Sequence, residues 1–202
     1  PAHLGSSIGI TRVESEADLG NAIEVATYYD TKVLVEEAVP NLIEVTVPII
    51  GNEELKPAFV ERPVKLADGG VFDFDSKYMG QGGKNGKGGA KSGKQGAQGY
   101  SELPAKIPKD LYDGCLAVAQ QAYRVIGCEG IARVDLLIDE KAGKIYVNEI
   151  NPMPGSLYAH NWRAAGVSNV QLVEDLIYLA EQRHKKKQRL ATTFETSFLR
   201  QF

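Results

Sequence analysis

The sequence has little cysteine, little histidine and no long apolar run. Of 202 residues, two are cysteine and three are histidine. The histidines are scattered, so no Cys/His metal cluster is expected. Cys115 lies inside a predicted helix and Cys128 just past its end, which favours two buried thiols over a disulfide. No apolar run approaches the ~20 residues that span a bilayer, so we expect no membrane partner.

An excess of charge of one sign is also lacking. The chain is 43% hydrophobic and 24% charged, with a net charge of −3, which is ordinary for a globular protein. A net acidic chain lacks the basic face that nucleic acid binding requires, so no nucleic acid partner is expected. No targeting pattern opens the chain. This composition is typical of a cytoplasmic enzyme.

Residues 80–99 lack acids and aromatics and contain nine glycines and four lysines. Such a composition neither buries a core nor holds regular structure. One interpretation is a disordered surface loop. A second is a lid over an active site, because glycines give freedom and lysines attract phosphate. A third, nonspecific nucleic acid binding, is disfavoured because no aromatic is present for base stacking.

Apolar periodicity and turn residues predict a mixture of helices and strands. Helices are predicted over residues 15–29, 108–126 and 170–187. Ser15 caps the first, Pro108 starts and Gly127 ends the second, and Ser168 or Asn169 caps the last. Strands are predicted at residues 8–13, 32–37 and 42–50, with shorter candidates at 57–66 and 70–75.

The most informative feature is a predicted hairpin formed by GIARVDLLID (130–139) and KIYVNEIN (144–151). Side chains alternate along a strand, so Arg133 and Asp135 share one face, as do Glu149 and Asn151. If Ile138 pairs near Ile145, Asp135 comes to lie close to Glu149.

These four polar residues predict a metal and phosphate site. Carboxylate and amide oxygens suit Mg²⁺, and an arginine beside them suits a phosphate. The alternative is an ordinary charged outer face on a surface hairpin. The remaining hairpin positions are strongly apolar, and the Pro-rich NPMPGS loop follows directly. Both observations favour a core hairpin that holds a site.

The pattern RVDLLID followed by YVNEINPMPG resembles the signature of D-alanine–D-alanine ligases, which belong to the ATP-grasp superfamily. PAHLGSSIGITRV resembles the phosphate loop of that family, KVLVEEAV its adenine-binding strand and FDFDSKY its mobile substrate loop. The resemblance runs from residue 1 to about residue 180, with the segments in the family's order.

The resemblance implies an α+β fold, namely the C-terminal portion of an ATP-grasp fold with an antiparallel sheet and flanking helices. Residues 1–50 would complete the small subdomain, and residues 51–202 would form the catalytic subdomain. The chain begins at Pro1, where the family has a preceding phosphate-binding lysine and an N-terminal substrate domain. That N-terminal part of the same protein is therefore an expected partner, and the isolated fragment is expected to be inactive. A homodimer is a further option.

The resemblance also assigns the hairpin residues to catalysis. It implies that Asp135, Glu149 and Asn151 hold two Mg²⁺ ions, with Mn²⁺ as an alternative, and that Glu149 bridges the two ions. Arg133 would grip the acyl phosphate, and the Gly155 N–H would be a second oxyanion donor.

Further residues are implied to contact ATP and the amino acid substrates. Ser6 would tie down the mobile loop through Tyr78, while Ser156 and Leu157 would receive the carboxylate of the second substrate. The implied ATP contacts are Lys77, Gly5, Ser7, Glu36, Glu37, Val39 and Glu44.

The sequence departs from the family's pattern at two places. Leu42 stands where the family has a ribose-binding glutamate, so Glu44, one step further on the same face, is the expected substitute. The loop between Gly155 and the acceptor residues is a few residues shorter, which leaves the amino acid specificity open.

We therefore expect an ATP-dependent ligase that joins two D-amino acids through an acyl phosphate, of the D-alanyl-D-alanine type used in peptidoglycan precursor synthesis. One alternative is another ATP-grasp carboxylate–amine ligase with a different amino acid specificity. Another is a non-catalytic nucleotide-binding module, which the presence of all four hairpin residues disfavours.

Overall fold

The computed structural model describes residues 1–5, 7–63 and 101–190. These residues form two compact units, one containing residues up to 40 and the other containing residues 41–63 and 101–190. The subdomain boundary expected at residue 50 falls inside a strand that belongs wholly to the second unit. The strand candidate at 70–75 and the Gly/Lys segment 80–99 lie outside the described residues.

The described part of the first unit contains one α-helix. A 3₁₀ turn, Glu16–Asp18, leads into α1, Leu19–Tyr29, close to the predicted bounds. The Ser15 hydroxyl donates to the Asp18 carboxylate at 2.6 Å and makes no cap to a backbone N–H. The helix buries Ala26.

Two strands predicted for this unit are wrong. Residues 8–13 form a turn and irregular backbone, and residues 32–37 are irregular. A strand requires a neighbouring strand for its backbone N–H and C=O groups, and neither segment has one among the described residues. Leu34 and Val35 are consequently 60% and 68% exposed, although their apolar character had predicted burial.

The second unit is built on a four-stranded antiparallel sheet. The described strands are β1, Leu42–Gly51; β2, Leu55–Pro57; β3, Arg62–Pro63; β4, Ser101–Glu102; β5, Gly130–Asp139; and β6, Lys144–Asn151. The order in the large sheet is β2-β1-β5-β6, and β3 pairs with β4 in a small second sheet. The strands predicted at 42–50 and in the hairpin are confirmed, whereas the candidate at 57–66 is reduced to the short β2 and β3 in its described part.

One face of the large sheet borders the main core. Alternation points odd-numbered β1 residues to the same side as even-numbered β5 residues. The helix α2, Lys109–Val125, packs on this face. It begins after Pro108 and ends before Gly127, as predicted. Residues at most 1% exposed in this core are Val45, Val47, Ile49, Val60, Cys115, Ala119, Tyr123, Ala132, Val134, Leu136 and Ile138.

Polar groups within this core are accounted for. The Tyr123 hydroxyl donates to the Gly51 carbonyl at 2.8 Å. Cys115 and Cys128 are both free thiols, as predicted, but only Cys115 is buried and Cys128 is half-buried. Burial raises the pKa of Cys115 to about 11, so the thiol stays neutral.

The other face of the sheet is apolar at one end only. There Ile50, Ala58 and Ile131 pack against Trp162 and Leu172, which lie on the helices α3, Ala159–Ala164, and α4, Asn169–Gln188. Ser168 caps α4 by accepting the Gln171 N–H at 3.1 Å, as predicted. The rest of this face carries polar side chains, so we call the whole face the mixed face.

The unit is therefore an antiparallel sheet with flanking helices, which confirms the expected α+β class. Among the helices that the structure describes, none has the length and apolar character needed to cross a membrane.

Candidate active site on the mixed face of the sheet

A β-bulge decides which residues of β6 face the mixed side. Ile145 pairs with Ile138, so strict alternation would place Asn148 opposite Asp135. The register shifts between Leu136 and Asp135, and Glu149 takes the place opposite Asp135 instead. The extra residue, Asn148, turns the end of β6 over.

The bulge brings four polar side chains onto one patch. Arg133 pairs with Asn151 across the strands, next to Asp135 and Glu149. Arg133 Nε and Nη2 donate to the two Asp135 carboxylate oxygens, each at 2.6 Å. Arg133 Nη2 lies 3.9 Å from Glu149 Oε1. This two-pronged contact fixes the plane of the guanidinium.

Asn151 joins the two carboxylates. Its Nδ2 donates to Asp135 Oδ2 and to Glu149 Oε1, each at 3.1 Å. The polar ends of the three side chains therefore converge on a common point, with Arg133 beside it. Rotating the amide would direct Asn151 Oδ1 to the same point, because oxygen and nitrogen exchange places.

Burial controls the ionisation of this patch. It raises the pKa of Asp135 to about 6, with Arg133 opposing the rise and Glu149 adding to it. Burial alone would lower the pKa of Arg133, but Asp135 reverses the effect and the pKa is raised. Arg133 therefore stays cationic, and a further cation beside Asp135 would favour its ionised form.

A row of polar residues crosses the sheet at this level. Thr46 on β1 lies opposite Asp135 on β5. On its other side Thr46 forms an isolated bridge with Glu61, with backbone N–H···O distances of 2.8 and 2.9 Å. Paired residues point to the same face, so Glu61, Thr46, Asp135 and Glu149 form one row.

Tyr158 covers the middle of this row. Its hydroxyl lies 3.0 Å from the Thr46 hydroxyl, and the Arg133 guanidinium carbon lies 5.4 Å from the centre of its ring. That distance is within the range of a cation–π contact. The His160 ring lies against the Tyr158 ring, with centroids 4.5 Å apart. Burial raises the pKa of Tyr158, so its hydroxyl stays protonated.

A buried carboxylate anchors His160. His160 Nε2 lies 2.8 and 3.0 Å from the two oxygens of Glu61, which is 4% exposed. Asn161 Nδ2 donates to the same carboxylate at 3.0 Å. Burial alone would raise the pKa of Glu61, but hydrogen bonds from His160, Ser101 and Asn161 outweigh it and lower the pKa.

The turn after Gly155 has an unusual backbone. Ser156, Leu157 and Tyr158 follow one another with φ of 51°, 53° and 55°. The left-handed region costs non-glycine residues roughly 1–2 kcal/mol each, and such strain is found where surrounding contacts hold it, often at functional sites. The contacts of Tyr158 hold this turn, and Gly155 begins it in an exposed position.

The site residues predicted in the first unit lie on turns and irregular backbone. Ile8 N–H donates to the Gly5 carbonyl at 3.2 Å, and Ile10 N–H donates to the Ser7 carbonyl at 3.3 Å, which makes two consecutive turns. Glu36 and Glu37 are exposed, and Val39 is half-buried on irregular backbone. In the second unit, Glu44 lies on the mixed face one alternation step from Thr46. Ser6, Lys77 and Tyr78 lie outside the described residues.

The donor set fits a hard divalent cation. Within the described ranges, no three His, Cys, Asp or Glu side chains form a group that could hold a metal ion, so a site here needs the Asn151 amide oxygen beside the two carboxylates. Carboxylate and amide oxygens are the ligands that Mg²⁺ and Mn²⁺ prefer. The residues present therefore suit the ion that the sequence predicted.

Comparison with known proteins defines the class. A family model described as "D-ala D-ala ligase C-terminus" matches residues 1–178. The chain belongs to this family, as the hairpin signature predicted.

Individual relatives agree with this assignment. The chain is 34% identical over 197 residues to the D-alanine–D-alanine ligase of Shouchella clausii, covering 96% of this chain and 48% of that protein. It is 38% identical over 186 residues to that of Chlorobium luteolum, covering 89% and 46%. The chain therefore spans about half the length of the curated relatives it matches.

Solved structures share the fold. The VanG D-Ala:D-Ser ligase of Enterococcus faecalis matches with a TM-score of 0.66 and 32% identity, covering 87% of this chain and 46% of that one. The D-alanine-D-alanine ligase of Coxiella burnetii matches with a TM-score of 0.68 and 23% identity, covering 92% and 45%. Because its identity is only 23%, the match to the Coxiella burnetii structure shows the fold alone.

Four residues beside the patch were not predicted from the sequence: Thr46, Glu61, Tyr158 and His160. Thr46 is the one hydroxyl in an otherwise apolar stretch, VTVPII, and this was the available signal. Glu61 and His160 lie far apart in sequence and meet only through the isolated bridge and the turn after Gly155.

Proposed function

We propose that the complete protein carrying this chain is an ATP-dependent ligase that joins two D-amino acids through an acyl phosphate, in peptidoglycan precursor synthesis. The observation that carries the proposal is the convergence of Arg133, Asp135, Glu149 and Asn151 on one patch. Membership of the D-alanine–D-alanine ligase family supports the same reading. ATP and two amino acids are then the small-molecule substrates.

Arg133 would bind the acyl phosphate. Phosphorylation of the first carboxylate and attack by the amine of the second amino acid both place negative charge beside this side chain. Its pKa is raised, so it remains a cation through both steps. The Gly155 N–H, at the start of an exposed turn, would donate to the oxyanion of the tetrahedral intermediate.

The two carboxylates and the amide would hold magnesium. Glu149 has two oxygens and would bridge two ions, with Asp135 and Asn151 each holding one; Mn²⁺ is an alternative. When bound, the ions supply positive charge that stabilises the transferring phosphoryl group. An ion bound there would weaken the contact of Asp135 with Arg133, since the ion and the guanidinium would share the negative charge of the same two oxygens.

The resemblance to the family implies further contacts with ATP and with the second amino acid. Gly5, Ser7, Glu36, Glu37 and Val39 would contact ATP, and Glu44 would take the ribose. Lys77 would contact the phosphates, and Ser6 would bond to Tyr78. Ser156 and Leu157 would receive the carboxylate of the second amino acid.

A ligase with another acceptor amino acid is the second candidate. One relative at 32% identity is named a D-Ala:D-Ser ligase. The proposed acceptor residues Ser156 and Leu157 lie in the left-handed turn, whose shape differs from that of an ordinary loop. Product analysis with D-alanine, D-serine and other acceptors separates the two candidates.

The test uses the complete purified protein with ATP, Mg²⁺ and single or paired D-amino acids. We expect amino acid-dependent phosphate release and a dipeptide of matching mass. Arg133→Gln should lower turnover roughly 100-fold or more, because it removes a charge that acts in the transition state. Arg124→Gln, at an exposed arginine of α2, is the matched control. ATP binding without turnover for any amino acid would contradict the proposal and favour a non-catalytic nucleotide-binding module.

A further inference from the structure

Asp135 and the ring of Tyr158 both hold the Arg133 guanidinium, and Glu149 Oε1 lies further away, 3.9 Å from its Nη2. Asp135 accepts both prongs of the guanidinium at 2.6 Å, and the ring of Tyr158 lies 5.4 Å from the guanidinium carbon. The two supports differ in kind. Asp135 is shared with any cation that the patch binds, whereas the ring of Tyr158 has no competing ligand role.

We propose that Tyr158 is a positioning residue that keeps the Arg133 guanidinium in place when Asp135 binds another partner. The inference rests on the proposed function, because it assigns Arg133 to the acyl phosphate. The face of an aromatic ring attracts a cation electrostatically, so this contact would still hold the guanidinium if a metal ion weakened its bond to Asp135.

The ring is suited to this role because it is itself held from three sides. Its hydroxyl bonds to Thr46, the residue opposite Asp135 on the neighbouring strand. The His160 ring lies against it, and His160 is anchored by the buried Glu61 carboxylate. Its backbone is fixed at φ 55° in the left-handed turn.

The arrangement also explains the strained turn. A right-handed or extended backbone at residues 156–158 would send the Tyr158 side chain in a different direction. The left-handed turn therefore stores strain that its side-chain contacts offset, and the result is a ring placed on Arg133. The residues assigned to the acceptor amino acid, Ser156 and Leu157, are held by the same turn.

Kinetics of the complete protein provide the first test. Tyr158→Leu should lower kcat roughly 5- to 30-fold, the range expected for a partly desolvated cation–π contact. The KM for ATP should change less than about 2-fold, since the contact serves the reacting groups. Tyr158→Phe keeps the ring and should recover most of the loss. Tyr178→Leu, at a 60% exposed tyrosine of α4, is the control.

Nuclear magnetic resonance provides a readout that does not need activity. The Arg133 Nε–H signal, identified by its loss in Arg133→Lys, should be protected from solvent exchange in the wild type with and without Mg²⁺. In Tyr158→Leu it should be protected without Mg²⁺, where Asp135 holds it, and exchange rapidly once Mg²⁺ is added. Equal protection in both proteins with Mg²⁺ would overturn the proposal.

Two further comparisons keep the outcome decisive. If Tyr158→Leu fails to fold, Tyr158→Phe and Thr46→Val remove the same hydrogen bond from either end; their effects should be equal, and the double variant no worse than either. Additive effects would overturn the tether. If the wild type ligates no amino acids, the proposed function fails, while the exchange measurement still decides whether Tyr158 holds Arg133.

Discussion

Asp135 and Glu149 lie directly opposite each other on β5 and β6, although plain alternation from the Ile138–Ile145 pair would have placed Asn148 there. The bulge at Asn148 therefore assembles the patch, because it turns Glu149 and Asn151 away from the apolar face. Without it, a carboxylate would point into the main core.

Deleting Asn148 should destroy the fold of the hairpin. The deletion would direct Glu149 to the apolar face, and burying an unpaired charge costs more than about 3 kcal/mol. Urea unfolding and circular dichroism should show loss of the cooperative transition. Asn148→Ala keeps the extra residue and should change stability by less than about 0.5 kcal/mol. A stable deletion variant would show that the bulge can move along β6.

Glu149→Gln should cut turnover far more than substrate binding. The proposed metal ions act mainly on the transition state, so losing a bridging carboxylate oxygen should lower kcat by roughly 100-fold while the KM for the amino acids changes little. Steady-state kinetics of the complete protein measure both. Glu140→Gln, at an exposed glutamate in the same hairpin, should match the wild type. A rise in KM with unchanged kcat would assign Glu149 to ground-state binding instead.

Glu61→Gln should alter the dependence of stability on pH. The pKa of Glu61 is lowered from its usual 4.5 in the folded protein, so the ionised carboxylate stabilises the fold above about pH 4.5, and this contribution is lost as pH falls through the folded pKa. Near pH 7 the free energy of unfolding of the wild type should exceed that of Glu61→Gln by roughly 1–3 kcal/mol, because His160 and Asn161 lose a charged acceptor.

The difference between the two proteins should shrink as the pH falls below about 4.5. Unfolding by urea across a pH series measures it. A gap that stays constant from pH 7 to pH 3 would mean that the effect comes from packing rather than from the charge of Glu61.

Tyr123→Phe should destabilise the main core without a change of shape. The buried hydroxyl is the donor to the Gly51 carbonyl, and an orphaned buried carbonyl costs roughly 1–3 kcal/mol. Chemical unfolding should show a lower midpoint with an unchanged slope. Tyr178→Phe, exposed on α4, should behave like the wild type. Equal stability of the two variants would indicate that water replaces the missing donor.

The sequence predicted well the helices whose ends depend on residues close by in the chain. The helices α2 and α4 begin and end near their predicted caps, Pro108, Gly127 and Ser168, because capping acts over a few residues. The two strands of the hairpin were also predicted correctly from their apolar pattern. The strands predicted at residues 8–13 and 32–37 failed, since apolar runs mark residues that can form a strand, whereas a paired partner is what makes one.

By itself the sequence determined the family, the hairpin and the identity of Arg133, Asp135, Glu149 and Asn151, since these depend on residue types at short spacing. The sequence also predicted that these residues share one patch, but only the tertiary structure supplied the cause, because the bulge at Asn148 reverses the alternation of β6. It alone also brought Thr46, Glu61, Tyr158 and His160 to that patch. Strand register and side-chain contacts between distant segments follow from packing the whole sheet, and no local rule of alternation contains them.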